Sequence, residues 1–315
     1  MSEVFVTLST FAEYGREPLE ALERAGVVYE LNRSGKRMMP DEVIERAAAS
    51  KALIAGVEPY TDATLGALPR LACICRCGAG VDNIDLESAR RRNVAVFNTP
   101  WPPVQAVAEL TVAMMLGLLR RLPEQSLLMR ARRWERIETH LLARRHVGIV
   151  GLGKIGRRVA EICGAIGAKV SAVEIAPDED WARRHNIRLA SWSELLAQSD
   201  ILSLHASVGA SPLRVGAAEI ARMRPGAILL NCARGEMVDE AALIDALKSR
   251  RLGGAGLDVF EAEPYTGELT QLDNVILTPH CATLPVESRV AMEIEAVEAA
   301  IGFLRGDAQA GNRVV

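Results

Sequence analysis

The stretch His146-Val147-Gly148-Ile149-Val150-Gly151-Leu152-Gly153-Lys154-Ile155-Gly156 constrains the fold more than any other part of this chain. A short apolar run ends in Gly-Leu-Gly, and a helical pattern with Val159, Ile162 and Ile166 follows at once. Strand, glycine turn and helix in that order are the context a dinucleotide-binding fingerprint requires. The first glycine permits the tight turn, the second lets backbone approach a pyrophosphate, and the third allows close helix–strand packing. The helix N-terminus then points its free N–H groups at the anion. The next strand carries Glu174, 23 positions after Gly151 and 18 after Gly156. An acid about 20 residues on can accept from ribose hydroxyls. Turn and acid together predict a bound dinucleotide, held by Gly151, Gly153, Lys154, Ile155, Gly156 and Glu174. Glu174 would repel a 2′-phosphate and Ile175-Ala176-Pro177 offers no arginine, so NAD is favoured. Arg157 and Arg158 follow the turn and leave dual use open.

At 315 residues the chain is long enough for about two domains. Hydrophobic residues make up 49% and charged ones 24%, a soluble globular balance. The net charge of −3 provides no global basic field for nucleic acid or an anionic membrane. No basic region precedes an apolar core at the N-terminus, and no apolar run approaches the ~18–20 residues that span a bilayer. A cytoplasmic protein is expected. Cys73, Cys75 and Cys77 alternate and share one strand face, but no Cys-x-x-Cys or His pair completes a metal site. They read as small buried hydrophobes.

Before the fingerprint, apolar runs at 4–8, 27–31, 52–56, 72–77 and 94–98 alternate with helical patterns near 18–25, 41–48 and 86–92. That alternation argues a parallel sheet flanked by helices. The run from Arg76 to Asp85 leaves its strand through Gly78-Ala79-Gly80, where successive free amides can form an anion nest. Three prolines within 100–103 mark a domain boundary. The helix expected at 105–121 is apolar nearly all round, which predicts burial on every side and a subunit interface. Arg130, Arg132, Arg133, Arg136, Arg144 and Arg145 are interleaved with acids and read as a solvated or inter-subunit face.

From residue 146 a second alternating unit is expected, with strands at 146–150, 169–174, 200–204, 227–231, 254–258 and 275–277. Helices fall at 154–166, 193–198, 216–223 and 239–250. A last helix at 285–304 packs back on one of the two domains, and periodicity does not say which. Three polar clusters follow strand ends, where open α/β sheets place their ligands. They are Asn231-Cys232-Ala233-Arg234-Gly235-Glu236, Asp258 to Pro264, and Thr278-Pro279-His280. An Arg can fork onto a carboxylate, and a His paired with an acid can give a proton to a forming alkoxide.

With these motifs the chain resembles the D-isomer-specific 2-hydroxyacid dehydrogenases, within them the phosphoglycerate-dehydrogenase-like branch. The likeness runs through Arg76–Asp85, Asn98-Thr99-Pro100, Ala108-Glu109-Leu110-Thr111, Gly151–Gly156, Pro225-Gly226-Ala227, Asn231–Gly235, Asp258–Pro264 and Pro279-His280. It implies an α/β fold of two doubly wound parallel-sheet domains. A Rossmann NAD-binding domain (100–283) is inserted in a flavodoxin-like substrate domain formed by 1–99 and 284–315, and the protein is usually a homodimer built on the long helix. The resemblance implies His280 as general acid/base and Glu263 as its partner. Arg234 would orient the substrate, aided by amides of Gly78, Ala79 and Gly80; Asp258 would hold the nicotinamide carboxamide, with Cys232 also at the cofactor. The implied reaction is hydride transfer between NAD and a small 2-oxo or 2-hydroxy acid.

Departures narrow the substrate. Phosphoglycerate dehydrogenases usually carry Arg-Ser where this chain has Gly56-Val57-Glu58-Pro59-Tyr60, and an acid at that rim would repel a phosphate. Tyr60 and Trp101 either line the substrate mouth or pack in core or interface. Ser207 replaces a customary proline, in a loop one residue short, and no C-terminal regulatory domain is visible. The alternatives are 3-phosphoglycerate oxidation and an NAD-sensing corepressor-type binding protein. Phosphite oxidation uses a similar triad and stays formally open. Glu263 argues against a formate dehydrogenase, which typically has Gln there.

Overall fold

The structure is a computed structural model that describes residues 2–206, 213–307 and 309–315. Ser207 lies outside the described residues. The chain divides into two compact units, Met1–Pro103 with Thr283–Val315, and Val104–Ala282.

In the first unit the apolar runs become five parallel strands: β1 (Val4–Val6), β2 (Tyr29–Leu31), β3 (Ala52–Ala55), β4 (Cys73–Arg76) and β5 (Ala95–Asn98). They lie in the order β2-β1-β3-β4-β5, the flavodoxin-like sequence of a doubly wound sheet. A two-residue strand, Asn312–Arg313, too short to show an alternating pattern, pairs antiparallel with β5 at the sheet edge. β3 is buried along its whole length, so its continuous apolar run is what a sheet covered on both faces demands. Leu22 of α1 (Glu17–Arg24) and Met292 and Ala296 of the last helix (Val286–Leu304) pack on one face with Val4, Val6, Cys73, Cys75 and Cys77. That settles the place of the last helix. Phe5, Leu53, Ile74 and Val96 line the opposite face, under helices Pro40–Ala47, Asp62–Gly66 and Leu86–Arg91.

The second unit has seven parallel strands: β6 (His146–Val150), β7 (Lys169–Val173), β8 (Arg188–Leu189), β9 (Ile201–Leu204), β10 (Ala227–Asn231), β11 (Leu252–Leu257) and β12 (Val275–Leu277). Their order, β8-β7-β6-β9-β10-β11-β12, is the dinucleotide-binding arrangement with one added strand, and it reverses direction between β6 and β9. The long helix (Pro103–Leu119) packs on this sheet with Ala108, Val112, Met114, Met115 and Leu119 buried. Close approach explains a glycine on each side of the contact: a Cβ on Gly256 of the sheet would lie 3.1 Å from Met114 Cβ, and one on Gly117 of the helix would lie 2.7 Å from Ile276 Cδ1. Burial is not complete on every side, contrary to the periodicity. Gln105, Glu109 and Ala113, at helical i, i+4, i+8 spacing, are exposed in the single chain. Among the described residues no single helix is long and apolar enough to cross a membrane.

Candidate active site

Three loops leave the carboxyl ends of β10, β11 and β12, and buried polar side chains fold each of them. Asn231 is 1% exposed; its Oδ1 accepts from the Ala233 amide at 3.0 Å and its Nδ2 donates to the Arg234 carbonyl at 2.7 Å. This closes the loop around the half-buried Arg234, whose guanidinium also donates to the Ala233 carbonyl. Gly235 follows for want of space: a Cβ there would lie 1.9 Å from the Phe260 carbonyl oxygen. The Arg234 loop is therefore pressed against the loop after β11.

In that second loop, Glu263 Oε1 accepts from the Phe260 amide at 3.1 Å, and Oε2 lies 2.7 Å from His280 Nδ1. Asp258, 1% exposed, organises the third loop. Its Oδ1 accepts from the Thr278 hydroxyl (2.6 Å) and the Cys281 amide (2.8 Å), and its Oδ2 accepts from the Ala282 amide (3.0 Å). Its carbonyl accepts from the His280 amide at 2.9 Å. These bonds hold His280 in the left-handed region (φ 50°), which few non-glycine residues adopt unaided. The imidazole itself stays 54% exposed. Because Glu263 accepts at Nδ1, that nitrogen carries a proton in either charge state, and Nε2 is left to gain or lose one. Cys232 packs its thiol on Met114 Sδ at 3.9 Å, and burial pushes it up to about 12. It is a neutral thiol, without nucleophilic character at ordinary pH.

The glycine turn lies in the same unit, after β6. Gly151 has φ +93° and no room for a Cβ, which would meet the Ala206 amide nitrogen at 2.8 Å. A Cβ on Gly156 would lie 1.9 Å from the Gly151 carbonyl oxygen, whereas one on Gly153 would point into open space. Gly153 and Lys154 are exposed, Ile155 is half-buried, and Gly153 caps helix Lys154–Ile166 without a side-chain bond. Those features suit a pyrophosphate: backbone open at Gly153 and helix amides not capped by a side chain. Glu174 Oε2 accepts from the Leu152 amide at 2.6 Å, so the acid does meet the turn. Arg157 donates to the Leu152 carbonyl (2.9 Å) and pairs with Asp178 (3.2 Å), and Arg158 engages Gln105 and Glu161. Both arginines have partners in the chain, which weakens the case for a 2′-phosphate.

Across the switch point from Gly151, His205 follows β9 and bonds Ser203 Oγ at 2.8 Å. Burial pushes its imidazole down to about 4. A folded value below the unfolded ~6.5 means that protonation favours the unfolded chain. This contribution to stability is complete above about pH 6.5 and is lost as pH falls toward 4, by up to roughly 2–3 kcal/mol. Urea unfolding across that range should show the loss in the native chain and not in His205→Gln; parallel curves would refute it.

In the first unit, the 78–80 turn is not the open nest that its glycines suggest. The Gly78 amide donates to Thr99 Oγ1 at 2.7 Å, and the Thr99 amide returns a bond to the Gly78 carbonyl at 3.0 Å. Asn98 Nδ2 donates to the Ala79 carbonyl at 2.6 Å. The amides of Ala79 and Gly80 have no such partner among the described residues. Glu58 corrects a second expectation. It is 2% exposed, and its Oε2 accepts from Thr7 Oγ1 (2.9 Å) and the Gly56 amide (3.0 Å), with the Tyr60 hydroxyl at 3.5 Å. It is a buried brace and not an acid at a rim; Tyr60 is wholly buried beside it, while Trp101 is 64% exposed.

The profile of the "D-isomer specific 2-hydroxyacid dehydrogenase, NAD binding domain" matches residues 112–282. The chain belongs to the D-isomer-specific 2-hydroxyacid dehydrogenase family. Its cofactor is accordingly NAD. Among relatives of this family, D-3-phosphoglycerate dehydrogenase of Archaeoglobus fulgidus is 31% identical over 92% of this chain and 56% of its own length. Glyoxylate reductase of Aeropyrum pernix is 33% identical over 96% of this chain and 93% of its own. D-lactate dehydrogenase of Aquifex aeolicus, solved with NAD and lactic acid, superposes with a TM-score of 0.87 at 28% identity, covering 99% and 98% of the two chains. The chain thus spans about half the length of the first curated relatives it matches, the phosphoglycerate dehydrogenases.

Proposed function

We propose that this protein is an NAD-dependent D-2-hydroxyacid dehydrogenase that interconverts a small 2-oxo acid and its D-2-hydroxy acid. The observation that carries the reading is the 2.7 Å His280–Glu263 contact, beside the Arg234 loop in the unit that holds the dinucleotide turn. Bound NADH supplies the hydride to the carbonyl carbon. His280 Nε2 gives the proton to the oxygen as it becomes an alkoxide, and Glu263 stabilises the imidazolium that must be charged beforehand. Arg234 binds the substrate carboxylate. The Gly151–Gly156 turn is assigned to the dinucleotide, and in the first unit the amides of Ala79 and Gly80 can donate to an anion.

The name of the Aeropyrum relative, matched over nearly its full length, favours a small 2-oxo acid. The Archaeoglobus relative keeps 3-phosphoglycerate as the second reading, and with Glu58 turned inward charge repulsion no longer argues against it. An NADH-oxidation screen over 2-oxo acids of graded size, with 3-phosphohydroxypyruvate included, decides between them. The expected result is highest kcat/KM on an unphosphorylated acid such as glyoxylate or hydroxypyruvate. Preference for the phosphorylated acid selects the second reading, and no turnover on any member defeats both.

A homodimer is proposed on the exposed stretch that follows the long helix. Leu122, Leu127, Met129, Trp134 and Leu141 are each more than half exposed there, interleaved with the arginines. So much unburied apolar surface in one segment fits a second copy of the chain.

A further inference from the structure

Away from the glycine turn, the second unit has a cleft of about 280 Å³ between helix Lys154–Ile166, the start of β7 and the segment after helix Glu179–Arg184. Small residues open it: Gly164, Ala165 and Ala168 contribute little bulk, and a Cβ on Gly164 would meet nothing within 4 Å. Four polar side chains line it, Glu161, Lys169, His185 and Asn186. Asn186 is fixed in the left-handed region (φ 57°) by a turn in which the Ile187 amide donates to the Ala182 carbonyl at 2.8 Å.

The contacts of the two ring nitrogens of His185 define one end of the cleft. Its Nδ1 lies 2.8 Å from the Trp181 carbonyl, which can only accept, so Nδ1 is the donor. In the neutral ring Nε2 is then an acceptor, and it faces the Glu161 carboxylate oxygen Oε1 at 3.8 Å. With the ring neutral, these two acceptors 3.8 Å apart leave room for a donor between them, which an ammonium group would supply. Glu161 Oε2 is already paired with Arg158 at 3.0 Å, so Oε1 is the oxygen left facing the cleft. Lys169 has no ion-pair partner among the described residues, and with the Asn186 amide it provides donors for an anion. The volume admits a molecule of roughly ten non-hydrogen atoms and excludes a nucleotide.

We infer that this cleft binds a small zwitterionic α-amino acid, its ammonium between Glu161 and His185 and its carboxylate on Lys169 and Asn186. The site reaches the cofactor turn through packed groups. The His185 ring stacks on Trp181 (centroids 4.2 Å apart), the Arg157 guanidinium lies 4.8 Å from the Trp181 ring centre, and Arg157 Nε bonds the Leu152 carbonyl between Gly151 and Gly153. An occupant that fixes His185 therefore fixes the turn, and amino acid and NADH alter one another's affinity by the same factor. This coupling rests on the assignment of NAD to the Gly151–Gly156 turn; the amino-acid site does not.

The test uses the full chain, with glycine and L-alanine as probes and acetate and D-lactate as controls. Tryptophan fluorescence, which includes Trp181, should change saturably with both amino acids in the absence of cofactor. Acetate and D-lactate should not saturate it. Lys169→Glu and Glu161→Gln should each weaken the response about tenfold or more while keeping the native melting temperature and basal turnover. Saturating glycine should shift the NADH dissociation constant about fivefold or more. No saturation with either amino acid at tens of millimolar, equal binding of acetate, or unchanged binding in Lys169→Glu overturns the site. Amino-acid binding with an unmoved NADH dissociation constant overturns the coupling. Because the first titration contains no cofactor, its failure is distinct from failure of the dehydrogenase reading.

Discussion

His280→Gln is expected to lower kcat on the preferred 2-oxo acid by about 10²–10⁴, the range of one positioned acid/base group, with little change in NADH binding. Glutamine can fill much of the imidazole's space, but its amide does not protonate near neutral pH. The proton for the new hydroxyl must then come from water. Glu263→Gln should have a smaller effect of the same kind: an amide oxygen can still accept from Nδ1 of His280, now 2.7 Å from Oε2, but offers no charge to balance the imidazolium. Arg234→Ala should cost 10² or more and appear in both KM and kcat, because a carboxylate that is no longer gripped is also misaligned. Steady-state kinetics on the three variants, with NADH affinity measured separately, checks these expectations. Native-like turnover in both His280→Gln and Arg234→Ala would remove the acid/base assignment.

Much of the architecture was legible because each long element carries a full period of its pattern. The strands of both sheets stand out as apolar runs, and the fingerprint places β6, its turn and its helix together. Short elements were not legible. Arg188–Leu189 and Asn312–Arg313 form strands of two residues, too brief for any alternation, and the second is wholly exposed. Helix Glu179–Arg184 is set by its Asp178 cap, which accepts from the Trp181 amide at 2.9 Å, and by burial of Trp181. Nothing periodic announces six residues. The helix Leu122–Arg130 buries none of its residues, so no apolar stripe marks it.

At the site, residue types were legible and their braces were not. Arg234, Glu263 and His280 stand out because such groups after strand ends are chemically suggestive. Thr99 and Asn98, which set the 78–80 turn, lie about 20 residues beyond it, and only the pairing of β4 with β5 brings them alongside. Glu58 misled for the same reason. A carboxylate is usually exposed, and the hydroxyl that buries this one, on Thr7, is 51 positions away. Gly235 gave no signal of its constraint, since it comes from the backbone of Phe260 and not from its own torsion angles.

Asp258→Ala is expected to be as damaging as loss of His280, through a different route. It leaves the Thr278 hydroxyl and the Cys281 and Ala282 amides without the acceptor that Asp258, itself 1% exposed, provides. At about 1–3 kcal/mol for each buried unsatisfied group, the folded state should lose about 3–5 kcal/mol after local relaxation. The surviving fold should still bind NADH, because the Gly151–Gly156 turn and Glu174 do not depend on this loop. Turnover should nevertheless fall by 10² or more, since the Asp258 carboxylate fixes Thr278 and Cys281 on either side of His280, which sits at φ 50°. Asp258→Asn separates positioning from simple instability. Its remaining oxygen can serve Thr278 and the Cys281 amide, but its NH₂ would face the Ala282 amide, so it should recover most of the stability and part of kcat. The competing view, implied by family resemblance, is that Asp258 grips the nicotinamide carboxamide. That view predicts a raised NADH dissociation constant in both variants. Both oxygens already accept from the 278–282 turn, so we expect kcat to fall while NADH affinity stays within about twofold, the size of an indirect effect of roughly 0.4 kcal/mol. A tenfold loss of NADH binding in Asp258→Asn, with kcat at saturating cofactor near native, would assign the residue to the cofactor instead.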